Sequence, residues 1–385
     1  MSINKSIIGL TLSLLLNSGV AVAANFSSAY STYLSGDYKA AFKEMLPSAE
    51  QGSVDAQYWI AAMYGSGKGV PTNDKTAVMW WTLAAEQGHT KAQYNLGVMY
   101  GSGKGVPTND KTAVKWYTLA AKQGYAQAQY NLGIMYDNGE GVTENHKTAV
   151  KWYTSAAEQG YANAQNNLGL MYDVGQGVPE NHKAAVKWYT LAAEQGYAEA
   201  QKNLGIMYKF GEGVAENHKT AVEWFTLAAE QGHANAQNNL GIMYKFGEGV
   251  AENHTTAVQW FTLAAEQGYA NAQNNLGVMY KFGEGVAENH KTAVQWFTLS
   301  AEQGYANAQN NLGLMYDLGQ GVPESHKTAV KWYTLAAEQG YATAQNNLGL
   351  MYDLGQGVPV SDKTAVKWYT LAAKQGYANA QDNLG

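Results

Sequence analysis

The sequence predicts an all-α fold, an α/α solenoid of helix-turn-helix repeats, and three observations lead to this prediction. Apolar residues recur with the period of an amphipathic helix. Glycine-rich stretches separate the helical segments. One glutamine recurs every 36 residues with no change of register, at Gln57, Gln93, Gln129, Gln165, Gln201, Gln237, Gln273, Gln309, Gln345 and Gln381. A fixed period of this length is typical of stacked supersecondary units, each of which contacts only its neighbours.

The first 23 residues have the pattern of a secretory signal peptide. Lys5 supplies a positive charge, residues 7–16 form an apolar core, and Ala21-Val22-Ala23 gives the small-x-small cleavage pattern. The core is shorter than the ~20 residues that span a bilayer. We therefore predict an exported protein, periplasmic or secreted, with no membrane span. The alternatives for this segment are an uncleaved anchor or a buried helix.

Residues 26–52 are predicted to form an N-terminal capping pair of helices. Ala29, Tyr30 and Tyr33 suit a first short helix, Gly36-Asp37 interrupts it, and residues 38–50 suit a second. The segment is a degenerate version of the repeat that follows, so we expect it to cover the first edge of the array.

Nine full repeats are predicted between residues 53 and 376. In repeat 161–196, Ala164, Leu168 and Met171 lie on one face of a first helix. Glycines end that helix, and Asn181 is placed to cap the second helix, which carries Trp188. Small residues such as Gly169 should let the helices approach closely. The repeats are 53–88, 89–124, 125–160, 161–196, 197–232, 233–268, 269–304, 305–340 and 341–376.

This pattern resembles the Sel-one-like repeat family, a relative of the tetratricopeptide repeats. The resemblance rests on Ala164-Gln165 with Leu168-Gly169, on Met171-Tyr172, on the Gly175-to-Val178 loop, and on Trp188-Tyr189 with the Ala192-to-Gly196 end. It implies a right-handed superhelix that binds proteins. The first repeat departs from the family pattern, since Trp59-Ile60-Ala61 replaces Asn-Leu-Gly there. We interpret that repeat as modified and partly capping.

Residues 377–385 match the start of a tenth repeat, and no polar C-terminal cap follows them. Two interpretations fit this ending. One is an early stop in the repeat array, and the other is self-association through an uncovered C-terminal edge.

The overall composition narrows the possible partners. The net charge is -6 and the pI about 5.8, with no basic tail or stripe, which argues against nucleic acid. The chain has no cysteine, which excludes disulfides, thiol nucleophiles and cysteine metal ligands. We predict a protein or peptide partner and no cofactor.

Asparagines form a second face of the predicted first helices. Asn163, Asn166 and Asn167 lie at i, i+3 and i+4, and three later repeats have the same arrangement. Carboxamides suit the backbone of an extended peptide because they both donate and accept hydrogen bonds. We expect the Asn167 column to bond neighbouring repeats, and the other two columns to be exposed on the concave surface. The predicted binding residues are Asn163, Asn166, Asn235, Asn238, Asn271, Asn274, Asn307 and Asn310.

Two further columns have competing interpretations. The first contains His146, His182, His218, His254, His290 and His326. Neighbouring helices pack ~8–10 Å apart, so matching histidines should lie about 10 Å or more apart, too far for one zinc ion. We therefore expect surface residues just after the N-cap and no metal site. The second contains Phe210, Phe246 and Phe282, which form either an aromatic ridge or a lid over the local core.

The predicted function is that of an exported scaffold or adaptor, and not of an enzyme. The alternative is an envelope protein that binds peptidoglycan or glycan through its aromatic and amide surface. A β-lactamase-like hydrolase is a third hypothesis, because some secreted family members carry that label. Those members have cysteine-paired repeats, however, and the Ser-x-x-Lys motif occurs here only at residues 2–5, inside the predicted signal.

Overall fold

The computed structural model describes residues 26–384, so the predicted signal peptide lies outside the described residues. These residues form helices, turns and loops, with no strand among them, and the all-α prediction is confirmed. They divide into two compact units, residues 26–192 and residues 193–384, which are described separately. Within 26–384, no helix combines the length and apolarity needed to cross a membrane.

Helix α1 comprises residues 26–34. The other helices are α2 Tyr38–Glu50, α3 Val54–Ser66, α4 Asp74–Glu86, α5 Thr90–Ser102, α6 Asp110–Lys122, α7 Ala126–Asn138, α8 His146–Ala157, α9 Ala162–Val174, α10 His182–Glu194, α11 Ala198–Phe210, α12 His218–Glu230, α13 Ala234–Phe246, α14 His254–Glu266, α15 Ala270–Phe282, α16 His290–Glu302, α17 Ala306–Asp317, α18 His326–Glu338, α19 Ala342–Leu354, α20 Asp362–Lys374 and α21 Ala378–Asp382.

Each repeat supplies a first and a second helix, and the apolar core continues from one repeat to the next. Phe225 on α12 shares a buried cluster with Leu240 and Met243 on α13. The corresponding residues Tyr153, Leu168 and Met171 share a cluster of α8 and α9. A single helix pair therefore leaves apolar surface that only its neighbours cover, as expected for stacked repeats.

Two glycine positions allow the chain to pack this closely. A Cβ on Gly241 would lie 2.6 Å from the ring of Phe261, so the first helix needs glycine where it meets the second. Gly105 has a φ of +72°, and a Cβ there would lie 2.5 Å from the carbonyl carbon of Asp74 in the preceding repeat. The close approach predicted for Gly169 is confirmed, because its Cβ would lie 2.7 Å from Tyr189.

The second helices begin with side-chain caps. Asn181 accepts a hydrogen bond from the Ala184 amide at 3.0 Å, which confirms the predicted N-cap. Ser325 takes the same role for α18, with an Oγ-to-amide distance of 3.3 Å from Thr328. Each of the six histidines of the column is the first residue of its helix, as expected, and is partly buried.

The recurrent glutamine joins consecutive repeats through what we call the glutamine clasp. Nε2 of Gln273 donates to the carbonyl of Ala265, at the end of the preceding repeat, at 3.1 Å. Its Oε1 accepts from Nε2 of Gln303, at the end of its own repeat, at 2.7 Å. Gln273 is 4% exposed, so both polar ends of a buried amide are satisfied.

The first described helices pack on the modified repeat. The ring of Trp59 lies 5.0 Å from that of Tyr30 and 4.9 Å from that of Tyr33, centroid to centroid. Ile60 and Met45 are fully buried in the same cluster. Trp59 thus occupies the place of the usual asparagine because aromatic residues of α1 contact it. At the other end, α21 is a five-residue helix whose Ala380 is fully buried.

Candidate interaction surface

Four of the predicted binding asparagines are buried, so their expected exposure was wrong. Asn166 is 5%, Asn238 4%, Asn274 6% and Asn310 5% exposed. This column points toward the neighbouring repeat because it lies beside the clasp glutamine, which is itself buried. A position three residues along a helix from a surface residue is not necessarily on the surface when another helix packs beside it.

In the second unit, these buried residues form an asparagine ladder between repeats. Nδ2 of Asn311 donates to Oδ1 of Asn274 at 2.9 Å, and Nδ2 of Asn347 donates to Oδ1 of Asn310 at 3.0 Å. Asn275 and Asn238 make the same contact at 2.9 Å. The predicted inter-repeat bonding of the Asn167 column is therefore confirmed for these members. The first three repeats have tyrosine instead of the buried asparagine, at Tyr58, Tyr94 and Tyr130.

The outer asparagine column is accessible. Asn163, Asn235, Asn271 and Asn307 are each partly buried. Asn235 is held in place on both sides, since its Nδ2 donates to the Tyr269 hydroxyl at 2.8 Å and its Oδ1 accepts from Asn239 at 2.7 Å. These amides keep part of their surface in water, and they remain candidates for a partner.

An exposed apolar row accompanies them at the C-terminal ends of the first helices. Phe210 is 61%, Phe246 62% and Phe282 60% exposed, which favours the ridge over the lid. Leu318 and Leu354 continue the row in the same unit, at 55% and 57%. We call this row, together with the outer asparagines of the same unit, Asn235, Asn271 and Asn307, the first-helix stripe. Large apolar side chains repeated at this exposure are typical of interaction surfaces.

Lysine precedes the exposed phenylalanine in three repeats, which we call the lysine-type repeats, 197–304. Lys209 Nζ lies 3.0 Å from Oε2 of Glu248, and Lys245 Nζ lies 2.8 Å from Oε2 of Glu284, each in the next repeat. The lysine side chains are only 13% and 18% exposed. Lys281 is different because Gln320 takes the position of the glutamate, and burial lowers the pKa of Lys281.

Aspartate takes the lysine's place in other repeats, which we call aspartate-type. In repeat 305–340, Asp317 Oδ1 lies 2.9 Å from Nδ1 of His326, and the Tyr333 hydroxyl lies 3.4 Å from Asp317 Oδ2. Glu324 contacts the other ring nitrogen of His326 at 3.1 Å. Burial, with the nearby Asp317 carboxylate, raises the pKa of Tyr333, so its hydroxyl stays protonated.

Two of the positions that differ between the repeat types change together. The buried ring of the second helix is phenylalanine in lysine-type repeats, as at Phe261, and tyrosine in aspartate-type repeats, as at Tyr333. A tyrosine hydroxyl near the first helix needs a hydrogen-bond partner, and the aspartate supplies it. A phenylalanine ring has no hydroxyl, so lysine can take the place of the aspartate and pack its aliphatic stem there. Our sequence reasoning missed this pairing, although the paired substitutions are visible in the repeats.

Glu199, near the start of α11, forms ion pairs with a histidine and a lysine. Its carboxylate contacts Nε2 of His233 at 2.8 Å and Nζ of Lys202 at 2.7 Å. The hydrogen bond from His233, followed by that from Lys202, lowers the pKa of Glu199 to about 2. Nδ1 of His233 accepts from the Ala236 amide at 3.3 Å and caps α13. Among residues 26–384, no group of three or more acidic, histidine or cysteine side chains has the arrangement of a metal site.

Comparison with known proteins identifies the repeat. A Sel1 repeat model matches residues 54–89, 90–125, 126–161, 162–197, 198–233, 234–269, 270–305, 306–341 and 342–377. A protective antigen of uropathogenic Escherichia coli with an SLR fold is 38% identical, with a TM-score of 0.85, and the match covers 100% of this chain and 82% of that one. A Sel1 repeat protein from Oxalobacter formigenes is 35% identical, with a TM-score of 0.62 and coverage of 80% and 88%. No functionally curated protein matches the sequence.

Matches in nine consecutive repeats account for most of the chain, in agreement with the helix pairs, the glycine contacts and the clasp described above. The Sel1 fold generally serves as a scaffold for protein–protein interaction and is typically non-enzymatic. The chain belongs to the Sel1 repeat family.

Proposed function

We propose that the protein is an exported scaffold that binds an extended segment of a partner protein on the first-helix stripe. The observation that supports this most directly is the exposed apolar row of the second unit, where five successive repeats each present one large side chain. More than half of each of these side chains is exposed, and apolar patches of this kind are typical of binding sites.

The outer asparagines suit the backbone of such a segment. Asn235 is oriented by Tyr269 and Asn239, so little side-chain freedom is lost when a partner binds. In each repeat, the asparagine amide would bind the backbone of an extended peptide, and the exposed apolar residue would contact one of its side chains. Asn163, Asn271 and Asn307 occupy the equivalent positions in their repeats.

Export is supported by the charged, apolar and small-residue pattern of residues 1–23. The 38% identical Escherichia coli protein is described as a protective antigen, which is consistent with a location accessible to antibodies. The N-terminal sequence of the protein recovered from its native host tests this proposal. We expect a chain that begins at Ala24 or Asn25, and a chain that retains Met1 would contradict it.

A peptide selection tests the binding surface. Peptides displayed on phage would be selected against the full chain, and the dissociation constant of the best peptide measured for variants. Combined Phe246→Ala and Phe282→Ala should weaken binding about tenfold or more, because buried aromatic contacts dominate such interfaces. The matched control is Leu227→Ala with Leu263→Ala, which removes side chains 44% and 45% exposed on second helices.

The control variant should change affinity by less than about twofold. Equal losses in both variants would contradict the assignment of the stripe. Binding of the chain to insoluble peptidoglycan, with the same dependence on Phe246 and Phe282, would instead support a glycan-binding envelope protein. Concentration-dependent sedimentation that the phenylalanine variant abolishes would identify a second copy of the chain as the occupant.

A further inference from the structure

A cavity of about 450 Å³ opens in the first unit between α5, α6 and α7. Its walls include the rings of Tyr94 and Tyr117, the carboxylates of Asp110 and Glu140, and the apolar side chain of Met135. The volume is within the range of small-ligand sites, which are usually apolar with a few placed polar groups. Tyr117 and Met135 are 7% and 5% exposed, so the floor is well buried.

The cavity exists because Gly101 stands where other repeats have a long or charged side chain. Gly101 is the penultimate residue of α5, as Lys245 is of α13. A Cβ on Gly101 would meet only the Ala113 Cβ, at 3.9 Å, so the space above this glycine is open. Its φ is not in the left-handed region, and the backbone therefore does not require glycine here.

The lysine-type repeats show what fills the equivalent space elsewhere in the same chain. Lys209 and Lys245 place their stems there, and each ammonium contacts a glutamate 39 residues later. Glu140 is the residue 39 positions after Gly101. The first unit thus retains the glutamate while lacking the lysine that partners this position in the lysine-type repeats.

Repeat 53–88 also has glycine at this position, and it provides a contrast. There the indole of Trp81 closes the space, since a Cβ on Gly65 would lie 3.2 Å from Trp81 Cη2. The position of Glu140 is taken by Lys104, so the acidic group is absent as well. An open cavity with an acidic rim therefore depends on the combination of Gly101, Tyr117 and Glu140.

We propose that this cavity accepts a lysine side chain of the partner protein, whose ammonium takes the place that Lys245 Nζ occupies in its own repeat. The inference rests on the proposed scaffold function and names one chemical requirement of its partner. The aliphatic stem packs along the contacting rings of Tyr94 and Tyr117, which line the cavity, and the ammonium meets Glu140 and Asp110.

The groups around the cavity are compatible with this occupant. Glu140 is exposed at the rim, where its Oε1 accepts from Asn138 Nδ2 at 3.0 Å, which leaves Oε2 for a cation. Burial raises the pKa of Tyr117 to about 12, so its hydroxyl remains neutral at physiological pH. Tyrosine faces also attract an ammonium group.

Methyl NMR on the full chain tests the proposal with a defined probe, the peptide acetyl-Gly-Lys-Gly-amide. We expect saturable shifts of the Ile134 and Met135 methyl signals, and none at Met279, whose equivalent space Lys245 occupies. The same peptide with an acetylated lysine should give no saturable shift, because it lacks the charge. Shifts that are equal for both peptides would overturn the proposal.

Three variants make the test specific. Gly101→Lys restores the residue of the lysine-type repeats and should abolish the shifts while the chain stays folded. Gly101→Ala also replaces the helical glycine but leaves most of the cavity open, so this variant should still bind the lysine peptide. Glu140→Gln should weaken binding about three- to fivefold, a modest effect because the carboxylate is exposed. Full binding by Gly101→Lys would overturn the assignment.

Two arms separate this inference from the proposed function. Butylammonium that shifts the methyl signals when the lysine peptide does not would show a free amine to be the ligand, which overturns the partner lysine. If the lysine peptide gives no saturable shift at Met135 in the unchanged chain while Phe246→Ala with Phe282→Ala removes the binding of phage-selected peptides, the lysine pocket is wrong and the scaffold function stands.

Discussion

Within residues 193–384, the lysine-type repeats 197–304 and the aspartate-type repeats that follow share one backbone and differ in how they close the end of the first helix. Lys245 reaches into the next repeat, to Glu284. Asp317 stays within its own repeat, on His326 and Tyr333. The glutamine clasp is the same in both types, as at Gln273 and Gln309. The clasp is therefore common to both types, while the chemistry at the ends of the first helices differs between them.

The largest expected effect comes from exchanging one type for the other. Lys245→Asp removes an ion pair that is largely buried and places a carboxylate opposite Glu284, so we expect a loss of about 2 kcal/mol in the free energy of unfolding. Hydrogen exchange of α13 and α15 measures this locally. Adding Glu284→Gln should recover part of the loss, because it removes the repulsion between the two carboxylates, and Gln356 takes that position relative to Asp317. No recovery would show that the two positions are not coupled.

The asparagine ladder should be equally important in both types. Asn274→Ala leaves Nδ2 of Asn311 without its acceptor in a buried site, and Asn310→Ala does the same to Asn347. We expect each to cost about 1–2 kcal/mol in urea unfolding. A difference larger than about 1 kcal/mol between these two variants would mean that the ladder, and not only the helix end, distinguishes the repeat types.

The boundary between the two types offers a stabilising substitution. Oε1 of Gln320 is buried without a hydrogen-bond partner among the described residues, and burial lowers the pKa of Lys281. Gln320→Glu would give Lys281 the carboxylate that Lys245 already has, and should add about 0.5–1 kcal/mol of stability at pH 7. The pKa of Lys281, followed by NMR of its Nζ, should rise. A pKa that stays constant would refute the pairing.

The smallest effect concerns Glu199, because only the first lysine-type repeat has glutamate at this position. Its folded-state pKa of about 2 lies below the ordinary value of 4.5, so the carboxylate stabilises the fold above pH 4.5 and the contribution is lost as the pH falls toward 2. The side chain is 43% exposed, so Glu199→Gln should cost less than about 1 kcal/mol at pH 7. Urea unfolding at pH 7 and pH 3 should show a smaller difference at pH 3. A constant difference would exclude the ionised carboxylate as its source.

Periodicity predicted much of this structure because it reports which residues share a helix face. The helix pairs, the cap at Asn181 and the close contact at Gly169 follow from spacing and local geometry alone. The burial of Asn166 does not, since the side of a helix that the next repeat covers depends on how the two repeats are rotated. A polar residue beside the core is therefore ambiguous until its partner is known.

The helix-end chemistry required contacts between residues far apart in sequence. Asp317 meets Tyr333, 16 residues later, and Lys245 meets Glu284 in the next repeat. The covariation is visible in the sequences of the repeats, but only the packed structure shows that the columns are in contact. The cavity at Gly101 is harder still to predict, because it arises from a side chain that is missing while its partner remains.

In the second unit, a clasp glutamine such as Gln273 donates to a carbonyl eight residues earlier and accepts from a glutamine 30 residues later. When a whole repeat is inserted or lost, the clasp glutamine meets the equivalent carbonyl and the equivalent glutamine. The new contact between repeats therefore has the same hydrogen bonds as the one it replaces. Repeats 233–268 and 269–304 differ at only four positions, so one could take the place of the other with little change in its contacts. A copy added to or removed from that segment would therefore keep the clasp at each new junction, and it would not duplicate the glycine that opens the cavity.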